Sequence, residues 1–300
     1  MLKILMLNTK KSYLPELESY KQYFFDTAEI YFEDEIEKSD LKYFDIVWEF
    51  MGFDMTKPKF KSQLLIHEYP SLSAGAFPHL KNYLKRKLNA KPDLRIFLNE
   101  NINSELNFND KINFCYRNMG VHRTFFNHKN AKKKYDFVYI GEINKDRQID
   151  KLLDKFTKKN TQEFSILVIG KPKDDIQKKY EQYKNISFAG YIHYKNIPTL
   201  ASKAVYGINW IPNKYPYNLQ TSTKLLEYCA MDLKIVNLQN DWSAKFEKEQ
   251  NAKFFNVKPN YKINLKELEN FKFVTPDVNE FEWSKVLQKS KIKETILDMI

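Results

Sequence analysis

The segment Tyr217-Asn-Leu-Gln-Thr-Ser-Thr-Lys-Leu-Leu-Glu-Tyr-Cys-Ala-Met-Asp-Leu-Lys-Ile-Val236 decides the fold. Three hydroxyl residues, Thr221, Ser222 and Thr223, and then Lys224 open an apolar-periodic helix. Val205-Tyr-Gly-Ile-Asn-Trp-Ile211 before it reads as a buried strand, and Leu233-Lys-Ile-Val-Asn-Leu238 after it as another. A helix entered from the end of a parallel strand turns its unpaired N–H groups into the crevice beside the sheet, where phosphates bind. The pattern therefore displays a diphosphate seat, with Lys224 as a point charge beside it and Glu227 four residues past Thr223 on the same helix face. Hydroxyl residues at a helix start also act as plain caps, and a helix glutamate as a plain surface residue, so both readings stand.

The same alternation runs outward in both directions. Towards the N-terminus, strands are expected at 3–7, 29–32, 43–50, 63–67, 94–98 and 111–116, with helices at 14–25, 79–88 and near 102–108. Phe44-Asp-Ile-Val-Trp48 and Leu64-Leu-Ile66 are continuous apolar runs, the mark of parallel strands covered on both faces. His128-Lys-Asn-Ala-Lys-Lys-Lys-Tyr135 is basic and non-periodic and reads as a linker. Beyond it come strands at 136–140, 164–169, 186–189, 205–211, 234–238 and 253–257. Helices fall at 147–159, 174–183, 196–202, 223–231, 242–250 and 265–270. Two successive βα series imply an α/β chain of two doubly wound, Rossmann-like domains facing a cleft. Residues 1–131 form the first and 132–275 the second; 276–300 is a helical segment with Phe281, Trp283, Val286 and Leu287 on its apolar face.

At 300 residues each domain is long enough to bury its own core. No apolar run approaches the roughly 20 residues of a membrane span, and Met1-Leu-Lys-Ile-Leu-Met-Leu7 reads as a first strand rather than a leader. Cys115 and Cys229 sit inside apolar patterns as reduced core residues, which suggests the cytoplasm. The formal charge of +11 favours an anionic partner. Only five of the 49 basic residues are arginine (Arg86, Arg95, Arg117, Arg123, Arg147), whereas base-edge readers lean on arginine, so nucleic acid is not the expected partner. The five histidines show no metal-ligand spacing, and no metal is expected. Glu33-Asp-Glu35 and Asp174-Asp175 read as solvated acidic clusters, and no Gly-x-Ser-x-Gly elbow occurs. Gly141, Gly170 and Gly190 each follow a predicted strand, where backbone turns sharply or approaches a ligand.

Lys224-Leu-Leu-Glu-Tyr-Cys-Ala-Met231, followed by a Lys-Ile-Val strand, resembles the nucleotide-binding helix of retaining glycosyltransferases of the two-domain GT-B fold, especially the family 4 group. Asp136-Phe-Val-Tyr-Ile-Gly-Glu-Ile-Asn-Lys-Asp-Arg-Gln-Ile-Asp-Lys-Leu-Leu153 is similar to that family's opening of its second domain. Ile166–Gly170, Ile186–Gly190 and Gly207–Pro212 fall in the matching order, and Trp283 resembles the tryptophan of a closing helix that crosses back to the first domain. The resemblance covers roughly residues 135–290. It implies transfer of a sugar from a nucleotide-diphosphate donor, without metal or other cofactor, to a glycan or lipid-linked glycan, with retention.

The resemblance also implies roles. Gly141 and Gly170 line the diphosphate, Arg147 and Lys224 neutralise it, Tyr191 and Ile192 flank the base, and Glu227 holds the ribose. Glu142, Thr221, Ser222, Thr223 and Leu225 complete the donor contacts. His67, in His67-Glu68-Tyr69-Pro70 after an apolar strand, resembles the histidine facing the donor sugar; a histidine there is also commonly structural. There are departures. Leu219 stands where the family has its first glutamate, Glu142 where many members have arginine, and Asn8-Thr-Lys-Lys-Ser12 replaces a glycine-rich loop. These departures put the donor sugar in question. Residues 79–91 form a basic amphipathic helix, with Leu80, Tyr83, Leu84 and Leu88 on one face, that either packs on the core or lies on an anionic membrane at the inner face. Two other readings are a non-catalytic binder of anionic polymers or nucleic acid, and a nucleotide-sugar epimerase of the same fold.

Overall fold

The computed structural model describes residues 1–7, 14–33, 35, 42–51, 64–128, 131–161, 163–172, 174–262 and 264–300. The Asn8–Ser12 loop, parts of the acidic cluster at 33–35 and of the linker at 128–135, and the side chain of Asp174 lie outside the described residues. Two compact units emerge: Met1–Gly120 with Trp283–Ile300, and Val121–Glu282.

In unit 1 the strands are β1 (Leu2–Leu7), β2 (Ala28–Phe32), β3 (Ile46–Phe50), β4 (Leu64–Tyr69), β5 (Leu94–Phe97) and β6 (Asn113–Tyr116). All pair in parallel, in the order β2-β1-β3-β4-β5-β6. The helices are α1 (Glu16–Tyr23), α2 (Pro78–Leu88) and α3 (Glu100–Leu106). One face of the sheet presents Ile4, Met6, Ile46, Trp48, Ile66 and Ile96, packed against Tyr20 and Phe24 and against Leu287, Ile292 and Ile296 from the end of the chain. Within this apolar layer Arg117 is fully enclosed, its Nε 2.7 Å from Glu68 Oε1 and its Nη2 3.0 Å from Glu16 Oε1. Such buried charges persist only when paired and hydrogen-bonded. Trp48 and Tyr20 donate to the second Glu68 oxygen. Period-two alternation sends Glu49, His67 and Arg95 to the opposite face.

Unit 2 contains β7 (Tyr135–Ile140), α4 (Ile149–Leu153), β8 (Ile166–Ile169), α5 (Asp174–Tyr180), β9 (Ile186–Gly190), α6 (Ile197–Ala201), β10 (Ala204–Asn209), α7 (Thr223–Ala230), β11 (Lys234–Leu238), α8 (Asp241–Glu249), β12 (Phe255–Val257) and α9 (Leu265–Asn270). The six strands are parallel, in the order β9-β8-β7-β10-β11-β12. This is the doubly wound dinucleotide-type order, and its reversal point lies between β7 and β10. Two helices, α10 (Trp283–Ser290) and α11 (Ile292–Leu297), return the chain to unit 1.

Two elements differ from expectation. The helix expected over 147–159 is only α4, five residues long. Beyond it side chains capture the carbonyls: Thr161 Oγ1 donates to Lys155 and Lys158, and Asn185 Nδ2 to Phe156. Those bonds replace helical amides. In α2 the polar residues Asn82 and Lys85 are buried, whereas Leu80, Tyr83 and Leu88 are exposed. Asn82 is drawn inward because its Oδ1 accepts from the Ser73 amide, at 3.0 Å.

Candidate functional site

The β7/β10 reversal point is where a crevice opens beyond the carboxyl ends of the strands, and α7 enters it. Ser222 is the N-cap of α7: its Oγ accepts from the Leu225 amide and donates to Asn209 Oδ1 at 2.7 Å. Asn209 at the end of β10 in turn donates to Asn237 near the end of β11, 2.8 Å away. Tyr228, inside α7, is fully buried with its ring over Gly207, where any Cβ would collide with it. Its hydroxyl accepts from the Ile140 amide at 2.9 Å and lies 3.4 Å from the carbonyls of Val138 and Ile208. The helix is thereby fastened to both strands that flank the reversal point.

This anchoring sets Lys224. Its Nζ lies 3.2 Å from where a Cβ on Gly141 would stand, so the missing side chain leaves the ammonium beside bare backbone. Gly141 adopts φ +129° and Gly170 φ +151°, and a Cβ on Gly170 would collide with the Gly141 carbonyl oxygen. Lys224 donates to Tyr139 Oη at 3.2 Å, and Tyr139 donates to the Glu142 carbonyl at 3.0 Å. Burial pushes the Lys224 ammonium down to about 7; Arg147 adds to the push, and Glu227 and Glu142 oppose it. Arg147 precedes α4, its guanidinium 4.2 Å above the Tyr217 ring and its Nε 3.8 Å from Glu142 Oε2. Lys224, Gly141, Arg147, Glu142 and the start of α7 therefore form one cluster of charged groups around bare backbone.

Glu227 is only 4% exposed, where the sequence left a surface position open. Burial raises its carboxyl to about 7, against a hydrogen bond from Tyr194 and the charge of Lys224. Tyr194 itself is buried, its ring 5.0 Å from Phe125 and 6.3 Å from His122. Thr221, Thr223 and Ile192 are half-buried, Leu225 is fully buried in the core, and Tyr191 is 68% exposed beyond β9. His67 belongs to another unit and another environment. The sequence pattern places it at a strand's end, but β4 runs on to Tyr69, and His67 is wholly buried with Nε2 3.6 Å from Glu49.

Sequence reasoning passed over Tyr139, Tyr194, Tyr228, Asn209 and Asn237. The asparagines have a signal: Asn209 closes its apolar strand, Asn237 is next to last in the neighbouring one, and the two pair in register. Tyr139 and Tyr228 lie in largely apolar stretches and Tyr194 in a polar turn, His193-Tyr-Lys-Asn196, and nothing local marks their hydroxyls. Among the described residues no group of three or more His, Cys, Asp or Glu side chains is arranged to hold a metal ion. No helix among them is long and apolar enough to cross a membrane.

No protein-family model and no curated protein matches the sequence. Solved structures match over the whole chain. HepE from Anabaena, solved in complex with UDP and glucose, is 11% identical and covers 99% of this chain and 100% of its own, with a TM-score of 0.68. A glycosyltransferase from Rickettsia africae ESF-5 is 14% identical, covers 99% of this chain and 98% of its own, and has a TM-score of 0.66. The UDP-GlcNAc 2-epimerase of Methanocaldococcus jannaschii is 12% identical, covers both chains fully, and has a TM-score of 0.57. At such identities it is the fold that is shared: this chain has the two-unit α/β architecture of the GT-B glycosyltransferases.

Proposed function

We propose that the protein is a glycosyltransferase that moves a sugar from a nucleotide-diphosphate donor to a glycan or lipid-linked glycan acceptor. The observation that carries this reading is Lys224, at the start of α7, with its Nζ 3.2 Å from the Cβ position that Gly141 lacks and within the field of the Arg147 guanidinium. Negative charge grows on the departing diphosphate in the transition state, and fixed donors and cations aimed there lower the barrier. Lys224 and Arg147 supply that charge without a metal. In the retaining course the anomeric C–O bond to the diphosphate breaks as the acceptor oxygen bonds to the same face. The acceptor proton passes to a diphosphate oxygen, so no side-chain base is required. Glu227 accepts the ribose hydroxyls once Tyr194 gives up its hydrogen bond. Domains 1–131 and 132–275 serve acceptor and donor respectively. His67, wholly buried, fits a structural role within β4 better than a contact with the donor sugar.

A second reading is a nucleotide-sugar epimerase, favoured by the full-length likeness to the M. jannaschii enzyme. The outward Leu80, Tyr83 and Leu88 of α2, beside Lys81, support peripheral contact with an anionic membrane at its cytoplasmic face. Thermal-shift screening against nucleoside diphosphates and nucleotide sugars selects the donor. Radiolabelled donor then separates the chemistries, because a transferase releases nucleotide only with acceptor, whereas an epimerase interconverts the sugar without one. Lys224→Ala and Glu227→Ala should each lower turnover at least a hundredfold with the fold intact, about 2.7 kcal/mol or more of barrier. Full activity in both variants removes the site assignment.

A further inference from the structure

Two adjoining cavities open in unit 1, among residues that the donor reading does not use. The first, about 250 Å³, is walled by Phe97, Phe108 and Phe114, with Asn103, Ser104 and Asp110 at its margin. The second, about 410 Å³, is lined by Arg86, Lys87 and Lys91. Asn107, Phe108 and Asp110 border both, so Phe108 stands between an aromatic-polar chamber and a cationic one.

Arg95 and Arg86 brace the partition. Arg95, only 4% exposed, forks onto Asp110 at 2.6 and 2.8 Å, and its guanidinium lies 3.9 Å from the centre of the Phe108 ring. Asp110 is therefore neutralised by Arg95, and the charge of the second chamber is left positive. Arg86 reaches from α2 to the carbonyls of Leu106 and Asn107, at 3.5 and 3.4 Å, and ties the two chambers together. Phe114 leaves half of its ring in solvent, 51% exposed, and Phe97 lies beneath it at 6.0 Å.

An aromatic face beside amide, hydroxyl and carboxylate groups suits a pyranose ring, which offers an apolar C–H face and hydroxyls around its rim. Three cations next to it, Arg86 held by the Leu106 and Asn107 carbonyls and Lys87 and Lys91 exposed, suit an anionic substituent on the neighbouring ring. A bilayer surface would use the cations but leave the aromatic chamber idle. We propose that this pair of cavities is a binding site for an anionic glycan, with one ring on Phe108 and Phe114 and a carboxylate or phosphate at Arg86, Lys87 and Lys91. As an acceptor site it rests on the transferase reading; as a binding site it stands without it.

The test is calorimetric titration of the full chain in 0.15 M salt with trigalacturonic acid, maltotriose and inorganic phosphate, beside flotation with phosphatidylglycerol-containing vesicles. Trigalacturonic acid should bind saturably and maltotriose at least tenfold more weakly. The variant K87E/K91E should weaken trigalacturonic acid at least tenfold and F114A at least fivefold, while UDP binding, which reads the donor site, stays unchanged in both. Absence of saturable trigalacturonic acid binding overturns the proposal. So does equal binding of maltotriose, or binding that F114A leaves untouched and phosphate matches. Capture by vesicles without oligosaccharide binding reassigns the surface to lipid and overturns it too. Loss of UDP binding in the native protein would sink the donor reading alone.

Discussion

The proton on Lys224 governs the candidate donor site at the level of single residues. Unliganded, burial leaves its ammonium titrating at about 7. A diphosphate against Nζ favours the charged form and raises that value. Binding therefore takes up a proton over the interval between the two values, and affinity falls as pH rises through it. The Kd for UDP is expected to weaken by up to roughly tenfold per pH unit above about pH 7.5. Calorimetry in buffers of different ionisation enthalpy should register the proton uptake, and Lys224→Met should flatten the profile. A flat profile in the native protein excludes Lys224 as the counter-charge. Glu227 acts in the opposite sense. Its carboxyl, raised to about 7 by burial, holds a proton in the folded state over pH 4.5–7 that the unfolded chain has lost. Its contribution to stability is full below pH 4.5 and lost as pH rises through 7. Glu227→Gln should therefore stabilise the apo protein at pH 7.5, by on the order of 1–2 kcal/mol, while weakening UDP. Denaturant melts at pH 4 and 7.5 check it: the gain must vanish at the lower pH.

Among the elements, α7 was the most legible. Its hydroxyl-rich start, apolar period and flanking strands all lie within one short stretch, 205–238, and the helix begins at Thr223 as the sequence implies. Local signals sufficed because the cap, the helix and the strand alternation are short-range properties. They fail where partners come from afar. The orientation of α2 was not legible, since a Leu/Tyr stripe is read as the buried face, and only the Ser73 amide on Asn82 shows otherwise. Nor was the buried state of Glu227, whose hydroxyl partner, Tyr194, comes from another segment. The cap on α7 can be tested directly. Ser222 is 2% exposed and serves both the Leu225 amide and Asn209 Oδ1, so Ser222→Ala removes a cap and leaves a buried acceptor unpaired. The expected cost is about 1–3 kcal/mol in chemical denaturation, whereas Ser222→Thr retains the hydroxyl and should cost less. On α2, Leu80→Glu with Tyr83→Glu should abolish co-sedimentation with anionic vesicles at unchanged Tm, because both side chains are largely exposed, at 54% and 47%. Retained co-sedimentation would exclude α2 as the contact.

The molecule as a whole is knit by its last eighteen residues, which belong to unit 1 although 162 residues of unit 2 separate them from the rest of it. Val286, Leu287, Ile292 and Ile296 fill the core beneath β1, β3, β4 and β5, and Trp283 locks the crossing. The Trp283 ring lies so close to Gly120 that any Cβ there would overlap it, and the Arg117 guanidinium lies over the same ring at 5.2 Å from its centre. Residue 120 ends the first passage of the chain through unit 1 and residue 283 starts the second, so this one contact joins both passages. A double-mutant cycle isolates it. Gly120→Ala alone forces the indole to move and should cost about 1–3 kcal/mol by overpacking. Trp283→Ala alone empties a buried site and should cost about 3–5 kcal/mol. In the double variant the new methyl meets no ring, so Gly120→Ala should become nearly neutral and the combined loss should fall short of the sum by roughly the first figure. Guanidinium unfolding followed by the remaining tryptophans supplies the four free energies. Strict additivity would mean that the two residues do not press on each other, and that the return of the chain to unit 1 is held by the aliphatic residues of α10 and α11 alone.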